Sequence, residues 1–481
     1  MRRNIRTALA TTAAAALTGG LLAVAAGTAS AASGLEGDFN GDGYRDLAVT
    51  AVGATVNGQS GAGAVTILFG SRDGAGAHKI QTLSQNSAGV PGDPEKNDYF
   101  GSSVAAGDFN GDGYADLAVG SSGEDLGKDV DAGYVTVLWG SSGGLSGGTT
   151  VPDPSGSSHD KFGRILTAGD YNGDGKADLA TASDSNKLDI FRGGFTKSGG
   201  TGGRYTVTTP VLAVPGPDIF NLTVGDVNND KRADLVVDGY EKTGEQWNSN
   251  YYLPGSASGL TATGAKKLPA GIISGIGDTN GDGFGDIVIG NDWDATSNVP
   301  GSSKGGAIEV LYGSATGPSG SKISLNQDSP GVPGGSETGD GFGYELSLGD
   351  INGDGLADLA VGAPGEDLAG VADSGMVSVL YGAPDGFTTT GAQAIEQNTP
   401  GVPGAGEKGD GFGGEVYLTD TTGDGKADLA VGTPWENAND GNVTVFHSDG
   451  TKISTTAVSY GLTATRLSAT GTPVLGGQMT G

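Results

Sequence analysis

The chain of 481 residues contains no cysteine, which excludes disulfides, thiolate metal sites and a cysteine nucleophile. Histidine is almost as scarce: His78, His159 and His447 are the only three. No HExxH pair is present, and the G-x-S-x-G spacings around Ser142, Ser146 and Ser303 fall in glycine-rich turn stretches with no helix pattern after them, unlike a nucleophile elbow, so serine hydrolysis and zinc proteolysis have no visible apparatus. Positive charge is short too, with 26 Lys and Arg against 56 Asp and Glu and a net charge of −30. That balance disfavours nucleic acid and anionic membranes as partners. What abounds is glycine: 93 residues, with 19 prolines, set between apolar runs and without a collagen period. The composition is that of a turn-rich, all-β domain.

Residues 1–31 place Arg2, Arg3 and Arg6 before an Ala- and Leu-rich stretch ending in Ala29-Ser30-Ala31. This is the pattern of a secretory signal peptide with a small-residue cleavage site, and it predicts a mature chain of 32–481. The apolar part is short and broken by Gly19 and Gly20, which argues against a membrane anchor. The expectation is therefore a secreted, extracellular protein without membrane insertion, most simply a monomer. The Ala- and Gly-rich signal suggests a high-GC bacterium.

One segment recurs seven times. It begins as Asp38, Asn40, Asp42, Tyr44 and Asp46, and returns as Asp108, Asn110, Asp112, Tyr114 and Asp116. The third and fourth copies are Asp170, Asn172, Asp174, Lys176, Asp178 and Asp226, Asn228, Asp230, Arg232, Asp234. The fifth and sixth are Asp278, Asn280, Asp282, Phe284, Asp286 and Asp350, Asn352, Asp354, Leu356, Asp358; the seventh is Asp420, Thr422, Asp424, Lys426, Asp428. Successive first aspartates lie 70, 62, 56, 52, 72 and 70 residues apart, a period that suits four-stranded propeller blades.

Positions 1, 3, 5 and 9 of each copy carry side-chain oxygens, while position 7 varies freely, as a residue contributing only its main-chain carbonyl would. A hard cation such as Ca²⁺ needs six to eight oxygens at short range, and alternate residues of a tight turn aim theirs inward together. The array therefore predicts up to seven Ca²⁺ ions. An EF-hand shares the first half of the pattern but needs a glutamate at position 12 and flanking helices. Position 12 here is Val49, Val119, Thr181, Val237, Ile289, Val361 or Val431, inside an apolar run that reads as a buried strand. The fourth copy departs most, with Asn229 and Lys231 in place of glycines and Arg232 following, so it is expected to be the weakest site. The seventh has a neutral Thr422 at position 3.

Upstream of most copies stands a Phe-Gly step, as in Phe100-Gly101, Phe162-Gly163, Phe342-Gly343 and Phe412-Gly413, with Ile219-Phe220 as an imperfect form. Downstream come a Leu-Ala-Val strand and a third strand such as Val135–Trp139 or Val377–Tyr381. With the D-x-N-x-D-G-x-x-D loop and the triplet Gly362-Ala363-Pro364, the chain resembles the FG-GAP repeat family, found in integrin α-subunit propellers and bacterial secreted proteins. The resemblance implies an all-β, seven-bladed β-propeller of four-stranded blades, with calcium in the loop between the first two strands and recognition on the opposite face. No Phe-Gly strand precedes Asp38, so Tyr460-Gly461 to Leu467 at the C-terminus is expected to complete blade 1 and close the ring, removing open edges.

Three near-copies, Gln85–Gly92, Gln327–Gly334 and Gln397–Gly404, lengthen the connections entering blades 2, 6 and 7. Trp293 and Trp435 hold the same position in their repeats, beside carboxylates, and are candidate ligand-binding residues that could stack on a sugar or anchor a peptide; packing against a neighbouring blade is the alternative. The sequence thus points to a non-catalytic extracellular recognition or adhesion module for carbohydrate or protein. A calcium-stabilised polysaccharide hydrolase or lyase stands as the second reading, because a carboxylate pair can hide among so many acids.

Overall fold

The computed structural model describes residues 35–156, 160–211, 219–240, 248–297, 299–320 and 322–481. The signal peptide expected over 1–31 lies outside these residues. Among them, 28 strands form seven separate four-stranded sheets. Every neighbouring pair within a sheet is antiparallel, so each blade is a simple meander. Blade 2 is representative, with strands Phe100–Gly107, Asp116–Ser121, Tyr134–Trp139 and Ser146–Val151. The first strands of successive blades pack against one another around a central axis, giving the seven-bladed propeller.

Burial explains the sequence pattern. Second strands such as Leu47–Ala51 and Asp178–Ala182 are buried throughout, because neighbouring blades cover both of their faces. They therefore read as continuous apolar runs rather than alternating ones. Outer strands keep exposed positions, as in Arg204–Thr208. Phe100, Phe162, Phe342 and Phe412 are wholly or almost wholly buried. Truncating one such ring to alanine costs about 3–5 kcal/mol. The glycine after it sits at positive φ, +92° for Gly101 and +93° for Gly343, a conformation that side chains resist.

The ring closes through the C-terminal strand, but not through the segment expected. Tyr460 ends the fourth strand of blade 7, Ile453–Tyr460, and pairs with Val443, while Leu462–Thr465 forms one helical turn. The strand that joins blade 1 is Leu475–Thr480, paired with Leu47–Ala51. Leu475-Gly476 is the Phe-Gly step of blade 1: Leu475 is buried and Gly476 has a φ of +87°. Leu475 also makes a parallel bridge to Gly441, as Phe162 does to Gly133 and Phe342 to Gly306. Leucine in place of phenylalanine hid the match, and Tyr460-Gly461 imitated it.

Candidate metal loops and the opposite face

In blades 2–7 the aspartate loop joins the first strand to the second, and in blade 1, whose first strand is C-terminal, it leads into the second strand at the same place, so all seven lie on one face. The local fold is set by the loop's own carboxylates. In blade 6, Asp350 Oδ1 accepts from the backbone N–H groups of Gly353 (2.7 Å) and Asp354 (3.1 Å), and Oδ2 from that of Gly355 (2.8 Å). Asn352 Oδ1 accepts from the Asp354 N–H (2.8 Å), and Asp354 Oδ1 from the Leu356 N–H (2.9 Å). The same pattern holds the loops of blades 1, 2 and 3. Positions 1, 3 and 5 are thereby oriented, with lone pairs to spare on each carboxylate.

The aspartate at position 9 has a second role with no local signature in the sequence. It is buried, and its Oδ1 accepts from a backbone N–H at or just beyond the end of the third strand of the same blade: Gly140 for Asp116 (2.9 Å), Gly193 for Asp178 (2.8 Å) and Gly382 for Asp358 (2.8 Å). Its Oδ2 often accepts from within the loop, as Asp358 does from Ile351 (2.8 Å). Position 9 thus clamps the loop to the blade. Burial, together with the loop's other carboxylates, pushes Asp46 and Asp116 up to about 8, Asp178 and Asp358 to about 7, and Asp234 and Asp286 to about 6.

The loops also bond to one another. The N–H at position 8 donates to the position 1 carbonyl of the preceding loop, as in Ala115 to Asp38 (2.9 Å), Ala233 to Asp170 (2.8 Å) and Ala427 to Asp350 (2.7 Å). The position 7 side chain lies over the neighbour's glycine: a Cβ on Gly41 would come within 2.5 Å of the Tyr114 ring. Position 7 therefore has a packing role between blades.

The donors fit a hard cation: carboxylates, an amide oxygen, a main-chain carbonyl, and in blade 2 a buried Asp116 Oδ2 with no hydrogen-bond partner. Among the described residues no three carboxylate or imidazole groups already converge on one point, so the full mixed set would be needed. Asp, Asn (Thr422 in blade 7), Asp and Asp at positions 1, 3, 5 and 9, with the position 7 carbonyl, would hold the ion, whose charge would offset the crowded carboxylates. Blade 4 is the least apt. Asn229 and Lys231 occupy positive φ (+56° and +70°), Lys231 bonds Asn229, and Arg232 is paired with Asp230 at 3.1 Å. In blade 7, Thr422 spends its hydroxyl on Asp420 (3.4 Å).

The opposite face carries the loops between second and third strands. Trp293 and Trp435 lie there on blades 5 and 7, with 40% and 37% of their surface exposed. Trp435 meets Tyr344 of blade 6 edge-on at 6.4 Å, so it both packs against a neighbour and presents a face. Trp139 is core, donating to Thr149 Oγ1 (2.9 Å), and Trp247 lies outside the described residues. Nearer the axis are Glu345 and Glu415, which begin the first strands of blades 6 and 7. Burial pushes Glu345 up to about 8 and Glu415 well above its usual range, each raised further by a neighbouring acid. No sequence signal singled these two out.

Residues 31–68, 100–138, 342–380 and 412–446 match the FG-GAP repeat, and 170–237 match the FG-GAP-like repeat. Phosphatidylinositol-glycan-specific phospholipase D of Dictyostelium discoideum is 30% identical over 193 residues, covering 38% of this chain and 20% of that protein. The protein of the same name from Bos taurus is 35% identical over 147 residues, 30% of this chain and 17% of that one. Integrin alpha-PS2 of Drosophila melanogaster is 35% identical over 118 residues, 24% and 8% respectively. The chain spans a fifth or less of the length of these relatives. A solved structure described as the Dos1 propeller aligns over 76% of this chain and 71% of its own at 12% identity, with a TM-score of 0.39, too loose a likeness to carry an argument.

These relatives correct one expectation. The chain read as non-catalytic because it lacks familiar nucleophile motifs, yet several proteins sharing its repeats are named as enzymes. The missing motifs exclude particular mechanisms and not enzyme families as a whole. Among the described residues no helix is long and apolar enough to cross a membrane. FG-GAP and FG-GAP-like repeats therefore recur along this seven-bladed chain.

Proposed function

We propose that the chain is a secreted, calcium-stabilised propeller that recognises an extracellular ligand, carbohydrate or protein, on the face away from its aspartate loops. The observation that carries this reading is the exposed Trp435, braced by Tyr344 and followed by Glu436, on a face otherwise built of loops. An aromatic held rigid by a neighbour and open on one side suits stacking on a sugar ring or anchoring a peptide. The relatives lend support: a phosphatidylinositol-glycan-specific phospholipase D and an integrin α-subunit share this repeat, and the first is named for a glycan, which favours carbohydrate. Calcium acts here as a folding cofactor, bound with the roughly 10⁻⁴ to 10⁻³ M affinity of extracellular modules.

The test is retention of the full chain on a glycan array and on immobilised matrix proteins, in calcium and in EDTA. The expected result is calcium-dependent retention on one ligand class, weakened about tenfold or more by Trp435→Ala. Blank results on both surfaces would remove the reading. Assaying the bound glycans for released product reports whether recognition is accompanied by turnover.

A further inference from the structure

The repeated connections that enter blades 2, 6 and 7 have a use beyond length. In blade 2, Gln85 is buried and its Nε2 donates to Glu124 Oε2 (2.6 Å), on the loop after the second strand. Gln327 donates likewise to Glu366 (2.5 Å) in blade 6, and Gln397 to Glu436 (2.5 Å) in blade 7. The last glycine of the Gly-Val-Pro-Gly turn folds over this amide. A Cβ on Gly92 would come within 2.6 Å of Gln85 Nε2, and one on Gly334 within 2.6 Å of Gln327 Nε2. The motif exists to seat a glutamine.

What surrounds the glutamine is acidic. Three residues before each Phe-Gly step's leading aspartate stands a glutamate, giving Glu95 and Asp98, Glu337 and Asp340, Glu407 and Asp410. Each aspartate is buried and accepts from the backbone N–H of its glutamate at 2.5–2.6 Å. Burial raises Glu124 to about 7 and Asp98 to about 6; Asp98, Glu95 and Asp125 push Glu124 up further, and Glu95 and Asp125 do the same to Asp98. Among the described residues none of these carboxylates is in an ion pair. Independently, the Oε1 atoms of Gln85, Gln327 and Gln397 are all buried without a hydrogen-bond partner. A buried acceptor left open costs about 1–3 kcal/mol, and here the same atom is open three times.

We propose that each of these three clusters is a site for a hard divalent cation, Ca²⁺ or Mg²⁺ in type, on the face opposite the aspartate loops. Gln85 Oε1 with the carboxylates of Asp98 and Glu124 would hold it in blade 2, and their counterparts in blades 6 and 7. The set is all oxygen, mixes carboxylate with amide, and carries net negative charge with no cationic side chain to balance it, which is what such ions select. Blade 5 lacks the site: Asp294 stands in the place of the glutamate and accepts instead from the backbone N–H groups of Gly305 (2.9 Å) and Gly339 (3.1 Å). The three clusters share no residue with the aspartate loops, so their occupancy is independent of those loops being filled.

The experiment counts ions on the full chain by native mass spectrometry after equilibration in Ca²⁺. Glu124→Gln, Glu366→Gln and Glu436→Gln combined should lower the count by three, while Asp350→Asn lowers it by one through the other face. A count unchanged by the triple variant overturns the proposal whether or not the aspartate loops bind. Should the triple variant fail to fold, terbium luminescence excited through tryptophan decides on the wild type, because Trp435 adjoins Glu436. Expected is a signal reduced by Trp435→Phe and abolished in that part by Glu436→Gln alone; no Trp435-dependent signal overturns it.

Discussion

Blade 6 and blade 4 share a meander and differ in what glues them to the next blade. Blade 6 places Gly362 in its second strand opposite Val377 in its third; at the same register blade 4 places Asp238 opposite Asn250. Gly362 lies so close to blade 7 that a Cβ would stand 2.1 Å from the Gly413 carbonyl oxygen. In blade 4 a carboxylate fills that gap instead, its Oδ2 accepting from Ser274 Oγ of blade 5 (2.9 Å) and Asn221 Nδ2 (3.0 Å). Asn250, buried where blade 6 has valine, leaves both side-chain polar atoms unpaired. The repeat therefore tolerates two kinds of seam, one made by close backbone packing and one by a polar plug that burial penalises. The regular blade is the stronger by this contrast, and blade 4 is carried by the ring.

Opening the ring should expose that dependence most strongly. Deleting 468–481 removes the strand that pairs with Leu47–Ala51 and the seam contacts of Gly481 with Tyr417. The expected loss is on the order of the whole net stability of a domain, about 5–15 kcal/mol, with cooperative melting abolished. Limited proteolysis of the truncated chain should then cut blade 4 before blade 6. An unchanged melting curve would falsify the dependence of blade 4 on closure. A smaller effect is expected at the aspartate loops. Calorimetric titration should show Asp350→Ala losing one calcium ion per chain and Asp226→Ala losing less, since Lys231 and Arg232 already engage the blade 4 loop. Equal losses would erase the distinction on that face.

The seven loops, the four-strand period and closure by the C-terminus are all legible in the sequence. They follow from residues that a tight turn or a buried strand requires, and these leave strong local signals. The closing strand itself leaves none, because Leu475-Gly476 keeps only the glycine of the Phe-Gly step while Tyr460-Gly461 keeps an aromatic and belongs to blade 7. Long-range pairing, not local pattern, decides between them. The clamp made by position 9 is hidden for a similar reason: its partners, such as Gly140 for Asp116, lie 24 residues away. The repeated Gln-x-x-x-Gly-Val-Pro-Gly segment is visible, but its bond to Glu124 spans 39 residues. The Asp238–Asn250 pair looks in sequence like any interruption of an apolar run.

That pair offers the finest test of the contrast between blades. Burial raises Asp238 to about 7, opposed by the hydrogen bonds from Asn221 and Ser274. An acid whose folded-state pKa lies above its unfolded value of about 4 keeps in the folded state a proton that the unfolded chain releases. Its contribution is therefore most favourable below pH 4, declines as pH rises from there to about 7, and stays at its full cost above. Its neighbour Glu345 is itself held near 8 and stays largely neutral in the folded protein between 4 and 7, so its own pH dependence is common to wild type and variant and drops out of their difference. Asp238→Asn keeps an oxygen for both donors and removes the charge. Its melting temperature should match the wild type near pH 4 and exceed it increasingly up to pH 7, by an energy of at most about 4 kcal/mol. A gap that does not widen with pH would mean that the polar plug holds its carboxylate ionised at no cost, and the seam of blade 4 would then be as sound as the glycine seam of blade 6.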